Sequence, residues 1–103
     1  MGIDAAWVDE SGKAIQQVFD PRQHLTFLST STWHTREGCC VRFIDPWGDT
    51  LFNQAQLPVL LGELSSTHAD EADLDARAHL EKVMRLVEKA IGRTHTYLRF
   101  VGD

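Results

Sequence analysis

The stretch that most limits what this chain can fold into is Cys39-Cys40-Val41-Arg42-Phe43-Ile44-Asp45-Pro46-Trp47-Gly48-Asp49-Thr50-Leu51-Phe52-Asn53. Runs of β-branched and aromatic residues flank Asp45-Pro46-Trp47-Gly48, in which each residue stands where a type I turn wants it. The Asp carboxylate can bond the backbone that follows it, Pro presets φ at the second position, and Gly suits the fourth. Strand, tight turn and strand is the economical expectation. In that hairpin Val41 and Phe43 would share one face, with Cys40, Arg42 and Ile44 on the other.

The rest of the chain supplies partners for such a hairpin. Ile3, Ala5 and Trp7 alternate with Asp4 and Ala6, Asp9-Glu10-Ser11-Gly12-Lys13 reads as a turn, and Ala14 to Phe19 resumes an extended run. A first hairpin follows from that pattern. Asp20 and Pro21 suit the N-cap and first position of a short helix whose inward residues would be Leu25 and Leu28. Leu57, Leu60, Leu61 and Leu64 recur at helical spacing behind Pro58, and Ser65-Ser66-Thr67 is expected to break that helix. A long helix is expected from about Asp70 to Ile91, with Gly92 just past its end. Its apolar stripe is Leu80, Val83, Met84, Val87, Ala90 and Ile91. Acidic residues crowd its start and basic ones its C-terminal half, which complements the helix dipole. Asp73 with Arg77 and Glu81 with Arg85 would add i,i+4 pairs. Thr94 to Val101 closes the chain as a strand, Thr96, Leu98 and Phe100 on one face. Covering these apolar faces gives an α+β fold. One domain over residues 1–103 would pack a mostly antiparallel sheet of about five strands on one long and one short helix.

Charge and composition remove several classes of function. Fifteen acidic residues against ten basic ones give a formal charge of −5, the wrong sign for gripping phosphates, so no nucleic acid is expected. A basic protein partner suits that sign. Apolar runs such as Val59-Leu60-Leu61 fall far short of the ~20 residues that span a bilayer. The start of the chain lacks the basic and apolar regions of a secretory signal, so a cytoplasmic protein without membrane contact is expected. The adjacent Cys39 and Cys40 would point to opposite faces of a strand and are too constrained for an ordinary disulfide.

Catalytic signatures are sparse. No glycine-rich phosphate loop and no Gly-x-Ser-x-Gly elbow occurs, so no cofactor and no catalytic residue is assigned. His68, Asp70, Asp73 and His79 could be drawn together as metal ligands, but their spacing matches neither an EF-hand loop nor HExxH, and an acidic helix start needs no metal. A pocket near His34 and Cys39 or Cys40 is the alternative that would make the chain a small enzyme or ligand-binding protein. Aromatic residues point elsewhere. Trp33 sits in the irregular stretch from Ser29 to Gly38, and Trp47 inside a tight turn; tryptophans so placed on a rigid scaffold can anchor an interface. Against that stands a plugging role, each indole folding back over the open end of the sheet. Trp7, in an alternating strand, reads as core. The candidate partner-binding residues are Trp33, Trp47, Asp49, Glu63, Asp70, Glu71, Asp73 and Asp75.

The box Arg42-Phe43-Ile44-Asp45-Pro46-Trp47-Gly48-Asp49-Thr50-Leu51-Phe52-Asn53-Gln54, with Leu57-Pro58-Val59-Leu60 and the closing His95-Thr96-Tyr97-Leu98-Arg99-Phe100-Val101-Gly102-Asp103, resembles a group of short bacterial proteins of uncharacterised function. The resemblance covers about the C-terminal two-thirds of the chain and implies a self-contained bacterial domain, with no activity attached. In size and charge alone the chain is also loosely similar to toxin-immunity proteins. The expected function is thus a small non-catalytic protein-binding module, an immunity-type inhibitor of a basic bacterial protein. A homodimer joined at a sheet edge is a further reading.

Overall fold

The computed structural model describes residues 2–22 and 39–102. Its sheet begins with β1 (Asp4–Asp9) and β2 (Ala14–Val18), the antiparallel hairpin that the alternation of the first eighteen residues implies. The turn between them is built around one carboxylate. Asp9 Oδ1 accepts from the Ser11 amide at 2.9 Å, the Ser11 hydroxyl at 2.6 Å and the Lys13 amide at 3.0 Å. Those donors favour the charged form, the Ser11 hydroxyl most, and hold the Asp9 carboxyl below its ordinary range. Gly12 takes φ +89°, a left-handed conformation that side chains resist.

Two further strands complete the sheet, β3 (Asp49–Phe52) and β4 (Thr96–Val101), in the order β2-β1-β4-β3 with every neighbour antiparallel. Asp4 lies opposite Val101 and Asp9 opposite Thr96, so the first strand and the last form the centre of the sheet. Thr96, Leu98 and Phe100 are buried while Tyr97, Arg99 and Val101 are half-buried, the alternation legible in the sequence. Phe52 meets Phe100 edge to face, with centroids 5.9 Å apart.

One face of the sheet is covered by α1 (Leu57–Asp70) and α2 (Leu74–Ala90). Leu57, Leu60 and Leu64 from α1 and Leu80, Val83, Leu86, Val87 and Ala90 from α2 meet Ala5, Phe52, Leu98 and Phe100 in one core. The fold is α+β as expected, with four strands among the described residues rather than five.

Two local expectations are corrected. The first arm of the central hairpin is not a strand: Cys39 and Cys40 form a bend and Val41–Phe43 a single 3-10 turn. Four of its amides find partners away from β3. The Glu63 carboxylate accepts from the amides of Cys39 (3.1 Å) and Val41 (3.2 Å), and the Phe43 and Ile44 amides close onto the Cys40 and Val41 carbonyls. Burial follows the turn: Cys40, Val41 and Ile44 are inside while Arg42 and Phe43 are exposed.

The helical break is also displaced. Ser65-Ser66-Thr67 lies within α1, where the Thr67 hydroxyl donates to the Glu63 carbonyl at 3.1 Å and so needs no exit from the helix. The chain turns instead at Glu71-Ala72-Asp73. There Asp73 caps α2 through the amides of Asp75 (2.9 Å) and Ala76 (3.3 Å), and Glu71 accepts from the Asp73 amide. Asp73 therefore spends its carboxylate on the cap rather than on Arg77, and Glu81 faces His68 at 3.0 Å. At the far end Gly92 takes φ +82° as expected past a helix C-terminus, and Ile91 falls just outside α2, partly exposed.

The short helix expected behind Asp20 lies outside the described residues, and within them Asp20 braces the first hairpin. Its carboxylate accepts from the Ile3 amide at 3.3 Å and its own amide donates to Asp4 Oδ1 at 2.7 Å, which ties the exit of β2 to the entry of β1. Pro21 and Arg22 form a turn, and Leu25 and Leu28 lie outside the described residues.

Candidate functional site

The turn expected at Asp45-Pro46-Trp47-Gly48 is present and braced on several sides. Asp45 Oδ1 accepts from the Trp47 amide at 2.8 Å, the Asx contact that the sequence implied. The Gly48 amide reaches the Asp45 carbonyl at 3.5 Å, and the Asp45 amide donates to Thr50 Oγ1 at 2.9 Å. From the end of β4 the Gly102 amide donates to the Gly48 carbonyl at 2.8 Å. A Cβ on Gly102 would strike the Pro46 carbonyl, so only glycine lets the two backbones lie this close. Pro46 is buried beneath the turn.

On this braced turn the Trp47 side chain points out, 72% exposed. A plugging role over the sheet end is ruled out for Trp47 by that figure. Two exposed carboxylates, Asp45 and Asp49, flank the indole in the chain, and Leu51 (56% exposed) follows on β3. Phe43 is exposed as well, with the Arg42 guanidinium 5.1 Å from its ring centre. An exposed indole on a braced turn, with acidic residues beside it in the chain, can pack against aliphatic stems and attract cationic heads, which is binding chemistry.

The other expected site residues are dispersed. Trp33 lies outside the described residues, as does His34. Glu63 on α1 is half-buried and holds the Cys39 and Val41 amides, so it shapes the segment leading to the turn. Asp70, Glu71, Asp73 and Asp75 gather where α1 passes into α2: Glu71 and Asp73 are engaged in the cap, and Asp75 faces Arg22 at 3.5 Å. Trp7 packs against the core, its ring 6.0 Å from the Arg93 guanidinium carbon. Asp45, Leu51 and Phe43 join Trp47 as surface that sequence reasoning assigned to the hairpin or its faces; only the turn motif itself could have pointed to Asp45.

The pocket expected near His34 and Cys39 or Cys40 lies in part outside the described residues, but the two thiols are described. Cys40 is buried, its Sγ 3.8 Å from the Gln56 carbonyl, and burial, then the Glu63 carboxylate and Cys39, push its thiol up to about 11. At neutral pH that sulfur stays protonated. Cys39 is exposed. Three described histidines each face a carboxylate: His68 with Glu81 at 3.0 Å, His79 with Asp20 at 3.7 Å and His95 with Glu10 at 3.5 Å. Among the described residues no cluster of three or more His, Cys, Asp or Glu could hold a metal ion, and His68, Asp73 and His79 point to separate partners. No helix among them is long and apolar enough to cross a membrane. No family model, no curated protein and no solved structure matches this chain.

Proposed function

We propose that this chain is a small non-catalytic protein-binding module whose anchor is Trp47, presented to a basic partner. The observation that carries the reading is the exposure of an indole on a turn braced through its backbone and through the Gly102 amide. Exposing a large aromatic ring is unfavourable in isolation, and one carried on a braced backbone leaves less main-chain freedom to be lost when a partner covers it. Asp45 and Asp49 beside it, and the chain's charge of −5, give the surface the sign that steers a cationic protein. An immunity-type inhibitor of a basic bacterial protein, acting in the cytoplasm, fits these features.

The test is an affinity pull-down of tagged wild type and Trp47→Ala from a bacterial lysate at low and high salt. A stoichiometric basic protein held by wild type, released at high salt and lost with Trp47→Ala, supports the reading. Equal capture by both proteins, or an empty eluate from wild type, overturns it. Trp47→Ala should leave stability within about 0.5 kcal/mol of wild type, since the ring contributes little to the core.

A further inference from the structure

The opposite edge of the sheet carries a second surface of different character. β2 is an outer strand, and among the described residues no strand pairs with its free side. An edge of this kind exposes alternate N–H and C=O groups that can template another strand. Apolar side chains accompany it, Ile15 at 50% and Phe19 at 63% exposure. β2 and α2 run past one another in opposite senses, since Arg22 meets Asp75 near the start of α2 and Gln16 meets Lys89 near its end. Between them lies an open groove of about 540 Å³, bordered by Gln17, Val18, Phe19, Arg22, His79 and Lys82.

The charge here opposes that of the whole chain. Lys82 and Arg22 border the groove, and Lys89 reaches over from α2 to donate to Gln16 Oε1 at 3.4 Å. Asp75 is the acidic counterweight, but its contact with Arg22 is a 3.5 Å pair between side chains that are both more than 70% exposed. Such a pair is worth little and is readily exchanged for another carboxylate. We propose that this groove binds an extended acidic peptide segment, which adds to the free side of β2 as a fifth strand and sets its carboxylates against Lys82, Lys89 and Arg22. Main-chain pairing supplies the affinity and the cations supply selection for acidic residues, the division of labour seen wherever a strand is added to a sheet edge. Five residues of β2 offer about 17 Å of pairing, room for a peptide of similar length. This surface is separate from the Trp47 turn, which adjoins the strand at the other edge. The competing account is that the lysines only guard an exposed edge against aggregation.

The test is an NMR titration of the uniformly 15N-labelled chain with an acetylated, amidated hexapeptide of alternating valine and glutamate. Two control peptides replace glutamate by lysine or carry N-methyl groups on alternate amides. Saturable shifts confined to Ala14–Phe19 and the Ala78–Lys89 flank of α2, absent with both controls, support the proposal. Lys82→Glu with Arg22→Glu should weaken binding about tenfold or more. No shifts up to about 1 mM peptide, shifts centred on Trp47, or equal binding of the N-methylated peptide overturn it. Concentration-dependent shifts of the same amides without peptide would also overturn it, because the occupant would then be a second copy. Should the double variant fail to fold, the N-methylated peptide still decides the matter on the wild-type chain.

Discussion

Replacing Gln54 by Ala should destabilise the protein far more than a half-buried surface glutamine ordinarily would. Gln54 follows β3, and its carboxamide reaches into the link between α2 and β4. Nε2 lies 2.8 Å from the Ala90 carbonyl, 2.9 Å from the Arg93 carbonyl and 3.2 Å from the Thr96 carbonyl, while Oε1 accepts from the Gly92 amide at 3.0 Å. Two protons on the amide allow two good donor bonds, and the acceptor bond makes three. Each contributes roughly 0.5–1.5 kcal/mol net, and water can replace those at the exposed Arg93 carbonyl and Gly92 amide. The loss should therefore come to about 1–2 kcal/mol, most of it at the partly buried Ala90 and Thr96 carbonyls. In a domain of this size that lowers Tm by roughly 5–15 °C. Thermal and urea denaturation followed by circular dichroism would measure it. Gln54→Glu sharpens the test, because a carboxylate would confront the carbonyl oxygens: at neutral pH it should be worse than Gln54→Ala, and acidification should relieve the difference. A fall below about 2 °C for Gln54→Ala would refute the reasoning and mean that the Gly92 turn holds itself.

Three further outcomes follow from the same structure. Under native conditions near pH 7.5 a maleimide should label Cys39 and leave Cys40 untouched until the chain is unfolded. Because the Cys40 thiol is held to about 11 against an ordinary 9.0, its contribution to stability is complete below about pH 9 and is lost as pH climbs towards 11. Rapid labelling of Cys40 in the folded protein would sink that account, as would stability that does not decline over this interval in a comparison with Cys40→Ala. Gly102→Ala should cost about 1–3 kcal/mol by driving a methyl group into the Pro46 carbonyl, and should loosen the turn enough to change Trp47 fluorescence anisotropy. Unchanged denaturation midpoint and anisotropy would show that the end of β4 does not brace the turn.

Where the sequence was a good guide, one periodicity dominated. The alternation in Ile3 to Val8 and in Thr96 to Val101 and the helical spacing from Leu80 to Ala90 each had one strong pattern and no local rival. The Asp45-Pro46-Trp47-Gly48 turn was legible because its chemistry is contained within four residues. Failures came where a distant residue decided. Cys39 to Ile44 has strand-forming composition, yet Glu63, more than twenty residues away, takes two of its amides and lets it coil into a 3-10 turn. Ser65-Ser66-Thr67 has breaker composition, but a back-bonded Thr67 continues the helix and Asp73 provides the stronger stop signal. The outward face of Trp47 could not be read either, since it depends on Gly102 and the buried Pro46. The groove beside β2 depends on strand order, which no local pattern encodes.

The pairing of β1 with β4 also governs when this sheet can come into being. Residues 4–9 find their second neighbour only in residues 96–101, so the intervening segment must be synthesised before the centre of the sheet can close. Until then the first hairpin has two open edges and an uncovered apolar face, with α1 and α2 formed at most as a loose pair. Closing so long a loop is an entropic step that precedes its reward in contacts, which places folding among the slower cases for a domain of this length. Nascent chains stalled before Thr96 should thus be protease-sensitive and bound by chaperones, and protection should appear only once residues 96–101 are exposed.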